Sequence, residues 1–236
     1  MCLRLNQKGN MNTILKNKWI IAAVVAVVGY LFFFTGKAEA ASFDGEFGKY
    51  EKRIDSGLYS GAEDSLYYKL SADIPVFKAL GLVGDLEYVD SDVTELYASV
   101  GTTLSTPIGA LGAGLLLSQV DGSDDLHELF AVYDLDVAGV FTTTIDASID
   151  DNKAGVIEAS VSQLLFSNGS FDLIAGGGYG QSYGYDDNYT YTLGTLRLQI
   201  DALYAQYNYL NNDLSGSGGT DGEWEGTTDI GLAFTF

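Results

Sequence analysis

The period of its apolar residues constrains this chain more tightly than any other feature. Across Gly226 to Phe236, Ile230, Leu232, Phe234 and Phe236 fall on one face while Asp229, Gly231, Ala233 and Thr235 fall on the other. A spacing of two is the strand period, since successive side chains of an extended chain point to opposite sides. The same alternation recurs upstream in runs of about ten residues broken by turn residues. Leu66, Tyr68, Leu70, Ala72 and Ile74 form one apolar row, Leu80, Leu82, Leu86 and Tyr88 the next. Leu96, Ala98, Val100 and Leu104 follow, then Leu111, Ala113, Leu115 and Leu117, then Leu129, Ala131, Tyr133, Leu135 and Val137. Further rows are Phe141, Thr143, Ile145, Ala147 and Ile149; Ile157, Ala159, Val161 and Leu165; and Phe171, Leu173, Ala175 and Tyr179. Leu196, Leu198 and Ile200, then Leu203, Ala205, Tyr207 and Tyr209, complete the set. No helical spacing of apolar residues is sustained across these segments.

Residues 1–40 read differently. Lys16 and Lys18 precede a long apolar run, Trp19 to Thr35, that ends in Gly36-Lys37-Ala38-Glu39-Ala40. A basic start, an apolar middle and a small-residue Ala-x-Ala end are the parts of a secretory signal peptide, so cleavage is expected between Ala40 and Ala41. Met11 suits the start of such a peptide better than Met1, which makes residues 1–10 an expected extension upstream of the true start. The alternative is an uncleaved anchor, the run being slightly short of a full span. Residues 41–236 are expected to form one domain, since nothing within them reads as a linker. The one cysteine, Cys2, falls in the leader. A chain without it has no disulfide, no catalytic thiol and no Cys-bound metal.

An exported chain of alternating strands whose last strand closes on an aromatic resembles the Gram-negative outer-membrane β-barrels, the porin-like class among them. The resemblance covers roughly residues 45–236. It implies an all-β, antiparallel closed transmembrane barrel set in outer-membrane lipid and lipopolysaccharide, with Phe234 and Phe236 as the signal read by the barrel-assembly machinery. Bacterial single-chain barrels have even strand numbers. A twelfth strand is therefore expected beyond the eleven rows, and Phe47 to Tyr59 is its place, although Lys49, Glu51, Lys52, Arg53 and Asp55 blur its faces. Ten strands are the alternative.

The turns sort into two sets. One is short and poor in acids: around Pro75, around Pro107, Ala138-Gly139, Ser167 to Ser170, and Gln199 to Asp201. The other is acidic: Glu63-Asp64, Asp90 to Asp92, Asp121 to Asp125, Asp150 to Asn152, Asp186 to Asn188, and the long Asn211 to Glu225. A barrel with short periplasmic turns and longer external loops predicts this segregation. Tyr88, Phe166, Phe171, Tyr207, Tyr209, Phe234 and Phe236 read as interfacial girdles, rings amphipathic enough for headgroup depth.

The faces opposite the apolar rows carry the chemistry. Lys69, Asp73, Asp85, Glu87, Glu95, Glu128 and Asp134 lie there, with Asp136, Asp146, Glu158, Asp172, Arg197 and Asp229. A base on the lipid face near mid-membrane costs roughly 2–4 kcal/mol and an acid less, so these side chains are expected to line the lumen. Gly112, Gly114, Gly176, Gly178 and Gly180 share that face and either leave room inside or mark bends. Two readings follow. In one, the acids make a negative path that favours small cationic or neutral solutes, as in a small porin-like diffusion channel. In the other, they pair with Lys49, Arg53, Lys69 and Arg197 across a packed interior, and the barrel is a non-conducting scaffold whose acidic loops are an interaction face.

An outer-membrane hydrolase is a third reading with thin support. The only histidine, His127, lies beside Asp124, Asp125 and Glu128 without a neighbouring serine relay, so no catalytic residue is assigned. Asp121, Asp124 and Asp125 supply hard oxygen ligands but lack the Gly and closing Glu of an EF-hand, which leaves weak divalent-ion bridging to lipopolysaccharide. No cofactor is implied. A net charge of −20 argues against nucleic acid as a partner.

Overall fold

The computed structural model describes residues 41–56, 58–90, 94–122, 125–137, 140–184, 188–215 and 219–235. The expected signal peptide, Asp124 and Phe236 lie outside them. The described chain is built of twelve antiparallel strands: β1 (Ser42–Asp55), β2 (Leu58–Phe77), β3 (Leu80–Asp90), β4 (Glu95–Thr106), β5 (Gly109–Val120), β6 (Leu126–Val137), β7 (Phe141–Asp150), β8 (Gly155–Ser167), β9 (Phe171–Tyr183), β10 (Thr190–Ile200), β11 (Leu203–Asn212) and β12 (Glu225–Thr235). Each pairs with its neighbours in sequence, and β1 pairs with β12 to close the barrel. Closure removes every sheet edge, the condition for a sheet to stand in lipid. The all-β, twelve-stranded reading holds, and the ten-strand alternative falls.

The registers set the faces. Phe47 lies opposite both Tyr68 and Leu232, and Leu70 opposite Leu86. These side chains point outward, and so do Leu115, Leu129, Ile145 and Ile157; all but Leu86 are more than a third exposed. A belt of exposed leucines, isoleucines and phenylalanines this continuous has no place on a surface facing water. Even the shortest strands, ten residues in β7 and β11, match the length of a tilted membrane-crossing strand. Outward rings cluster near both ends of the wall. Tyr207, Tyr209 and Trp224 stack edge-on at one end, and Phe166 meets Phe171 at the other. Trp224 was not among the girdle residues legible in the sequence.

One hairpin departs from the sequence reading. Glu63-Asp64 is not a turn. β1 and β2 run on past it to a turn at Ser56, with a bulge between Lys52 and Ile54. A bulge inserts a residue into one strand and swaps its faces, which is why charge alternation around Arg53 fits neither face cleanly. Below the bulge Lys49 pairs with Leu66 and Ile230 in the outward row and bonds Asp64 at 2.6 Å. It does not join the interior.

Candidate functional site

By the same registers, all thirteen residues expected in the lumen lie on the inner wall. Lys69, Asp73, Asp85, Glu87 and Glu95 occupy β2 to β4. Glu128, Asp134, Asp136, Asp146 and Glu158 occupy β6 to β8. Asp172, Arg197 and Asp229 complete the set on β9, β10 and β12. The wall is polarised. From β5 through β9 the strands contain no lysine or arginine. Asp146 and Glu158 are direct cross-strand neighbours there, and Asp134 accepts a bond from Thr144 at 2.6 Å. The inward cations, Lys52, Arg53, Lys69 and Arg197, all lie on β1, β2 and β10.

Two arginines are tied to carboxylates on the arc that bears the cations. Arg53 bridges Glu95 at 3.0 Å and Glu87 at 3.4 Å, its guanidinium 4.0 Å above the Tyr97 ring. Tyr97 donates to Glu95 and Tyr50 donates to Glu87. Arg197 reaches Glu46 through both terminal nitrogens at 3.1 Å and lies 3.9 Å over Tyr204. Cation, carboxylate and ring thus satisfy one another where water is scarce. Asp229 accepts from Asn208 at 2.6 Å through Oδ2, while its Oδ1 is buried without a partner.

Inward glycines do not leave empty space. A Cβ on Gly114 would come within 2.6 Å of the Phe130 ring, and one on Gly180 would collide with Tyr191. Gly114 and Gly180 are each the bed of an aromatic ring from the adjacent strand, the pairing that also stiffens designed barrels, whereas Gly112, Gly176 and Gly178 face Val132, Thr195 and Ser160. Tyr191 in turn donates to Glu158 at 2.7 Å. Tyr67 and Tyr204 are buried together beside Val89, with Tyr50 stacked 4.0 Å from Tyr67. The lumen is therefore narrowed by rings that the alternation of polar residues does not reveal.

At the acid-rich end the bulged hairpin leans over the mouth. Ile54 and Leu58 pack on Val156, Tyr189, Tyr191 and Leu210, and Tyr189 donates to the Ser56 carbonyl at 2.8 Å. Beneath this roof is a chamber of about 580 Å³. A second hollow of about 230 Å³ lies against Thr144, Glu158, Ser160 and Thr195 deeper in the barrel.

The remaining candidates stand at the rim. His127 faces outward, 3.5 Å from Asp151, and both side chains are about half exposed or more. Asp121 and Asp125 are exposed, and Asp125 accepts from Gln119 at 2.8 Å. Among the described residues no three His, Cys or carboxylate groups converge as a metal site would require. Phe234 is outward on β12, its ring covering Gly45 of β1 at the barrel seam.

No family model matches the chain, and no curated protein matches it. Solved structures match its fold. The KdgM porin aligns with a TM-score of 0.54 at 8% identity, over 83% of this chain and 99% of that one. The NanC porin aligns at 0.50 and 11% identity, over 83% and 99%. LpxR from Salmonella typhimurium aligns at 0.50 and 9% identity, over 83% and 100%. Identities this low speak to fold alone. The fold is that of the outer-membrane β-barrels, and no subfamily within them is marked.

Proposed function

We propose that the chain is a small porin-like channel of a bacterial outer membrane, with a narrow lumen that favours small cations and neutral solutes. The observation that carries this reading is the one-sided wall. Glu128, Asp134, Asp136, Asp146 and Glu158 face inward across strands that contain no lysine or arginine. Asp134 accepts from Thr144 and Glu158 from Tyr191, and a wall this dense in carboxylates on strands that carry no lysine or arginine is expected where water or mobile cations reach it. Across the barrel from Arg53 and Lys69 of β1 and β2, these carboxylates make β6 to β8 the more negative side of the lumen and concentrate cations there. Two of the proteins that share the fold are porins by name. The outward belt fits outer-membrane lipid, the acid-rich end fits the external surface with lipopolysaccharide around it, and residues 1–40 fit an export signal removed on the way. Phe234 and Phe236 fit the role of assembly signal.

The roof over the mouth and the buried Tyr67–Tyr204 cluster favour a second reading, a closed scaffold barrel that meets partners through its acidic loops. Neutralising the acid wall separates the two. With Asp134, Asp136 and Asp146 changed to Asn and Glu158 to Gln, a channel loses most of its preference for potassium over chloride. A scaffold has no conductance to change.

A further inference from the structure

The chamber beneath the β1–β2 roof has a composition unlike the rest of the lumen. Three of the four inward cations are ion-paired: Arg53 with Glu87 and Glu95, Arg197 with Glu46, Lys52 with Glu225. Lys69 has no ion-pair partner among the described residues, although it opens into the chamber. Asp85 opens into the same space, and its carboxylate is held by the Ser99 hydroxyl at 2.9 Å. Lys69 stands opposite Glu87, two residues along β3 from Asp85, so the two are diagonal neighbours about 7–8 Å apart at the backbone. Glu87 is engaged by Arg53 and Tyr50. An ammonium and a carboxylate are thus presented side by side with a gap between them.

Two strands further along the wall the lining becomes largely aliphatic. Leu116, Val120 and Leu126 of β5 and β6 lie there beside Ser118 and the carboxylate of Glu128, and Leu58 closes the chamber from above. Below, Val83, Gly101, Gly114 and Phe130 lie opposite one another in register, with the Phe130 ring laid over Gly114. They form an apolar row on the wall between the chamber and the deeper lumen. With Arg53 and Glu87 already paired, the recess offers one cation without an ion pair, the carboxylates of Asp85 and Glu128, and branched aliphatics beside them, which is complementary to a solute carrying a carboxylate, an ammonium and a hydrocarbon group.

We propose that this chamber is a binding site for small zwitterions bearing an aliphatic side chain, the chemistry of an apolar α-amino acid or its short peptides. The carboxylate of such a solute meets Lys69, its ammonium meets Asp85, and its hydrocarbon lies against Leu116, Val120 and Leu126. A purely cationic solute leaves Lys69 repelled, and a purely anionic one leaves Asp85 repelled. The site deepens the channel reading by naming a solute class, and it rests on that reading only for how the solute would pass from the chamber into the deeper lumen.

Calorimetric titration of the purified barrel in detergent micelles tests the site without requiring conduction. The probes are L-leucine, leucine amide (a cation) and N-acetyl-leucine (an anion). Saturable binding of leucine is expected, with about ten- to a hundredfold weaker binding of each singly charged analogue. Lys69→Met and Asp85→Asn, both still showing heat-modifiable migration, are expected to lose a similar factor. Wild-type protein that binds leucine no better than leucine amide, or gives no saturable heat with leucine at all, overturns the proposal even if the barrel conducts. Leucine binding by a barrel that never conducts upholds the site and retires the channel.

Discussion

Replacing Arg53 by methionine tests the packing of the barrel's mouth. The substitution keeps most of the side chain's length and removes its charge. It deletes the contacts to Glu95 at 3.0 Å and Glu87 at 3.4 Å, together with the stack on Tyr97. Glu95 cannot retreat into water, since its side chain is 8% exposed and that of Arg53 10%. Breaking one side of a buried ion pair typically costs about 3–5 kcal/mol, because a charge is left buried and unpaired. With a urea slope of about 2 kcal/mol per molar, the unfolding midpoint of the refolded barrel in lipid vesicles should fall by about 2 M. The signal is the loss of β-structure by circular dichroism and of heat-modifiable migration on gels. Adding Glu95→Gln to Arg53→Met should restore more than half of the loss, since the stranded charge is then gone. A single mutant within about 0.5 kcal/mol of wild type, the scale of an ordinary surface change, refutes the reasoning. It would mean that water reaches Glu95 freely and that the roof is not anchored there.

Other outcomes follow from the same geometry. Leu129→Arg on the lipid face should destabilise the barrel by about 2–4 kcal/mol, whereas Thr144→Arg, on the inner wall beside Asp134, should cost far less; equal losses in a vesicle unfolding titration would contradict the assigned faces. Gly180→Ala places a methyl group in the Tyr191 ring and should cost about 1–3 kcal/mol by overpacking, with recovery when Tyr191→Ser is added. Phe130→Ala removes the ring over Gly114, and the single-channel conductance should rise. An unchanged conductance would place the narrowest point elsewhere.

The strands were legible because lipid outside and water inside impose one rule on every strand, and that rule has a period of two. It put Leu129, Ile145 and Ile230 outward and Asp134, Asp146 and Asp229 inward from spacing alone. The rule failed at two kinds of place. At the β1–β2 hairpin the strands rise past the apolar belt, where either face tolerates charge, and the Lys52–Ile54 bulge then shifts the faces. Lys49, in phase with Phe47 below the bulge, stands outward with its charge at the rim, and Glu63-Asp64 read as a turn. Within the lumen, alternation separates inside from outside and does not say which inward residues meet. The seating of Phe130 on Gly114 and Tyr191 on Gly180 depends on register between strands. The pairing of Arg53 with Glu95, 42 residues apart, depends on a hairpin crossing over its neighbours. Lys69 reads like any other inward charge in the sequence, and only the three pairings around it show that it is left over.

Single-channel recording in a planar bilayer, with a salt gradient across it, tests the channel most directly. A water-lined lumen with its acids gathered on β6 to β8 should give discrete conductance steps and a reversal potential displaced toward the cation equilibrium. A correctly folded, heat-modifiable barrel that stays electrically silent, or one whose reversal potential favours anions, would contradict it.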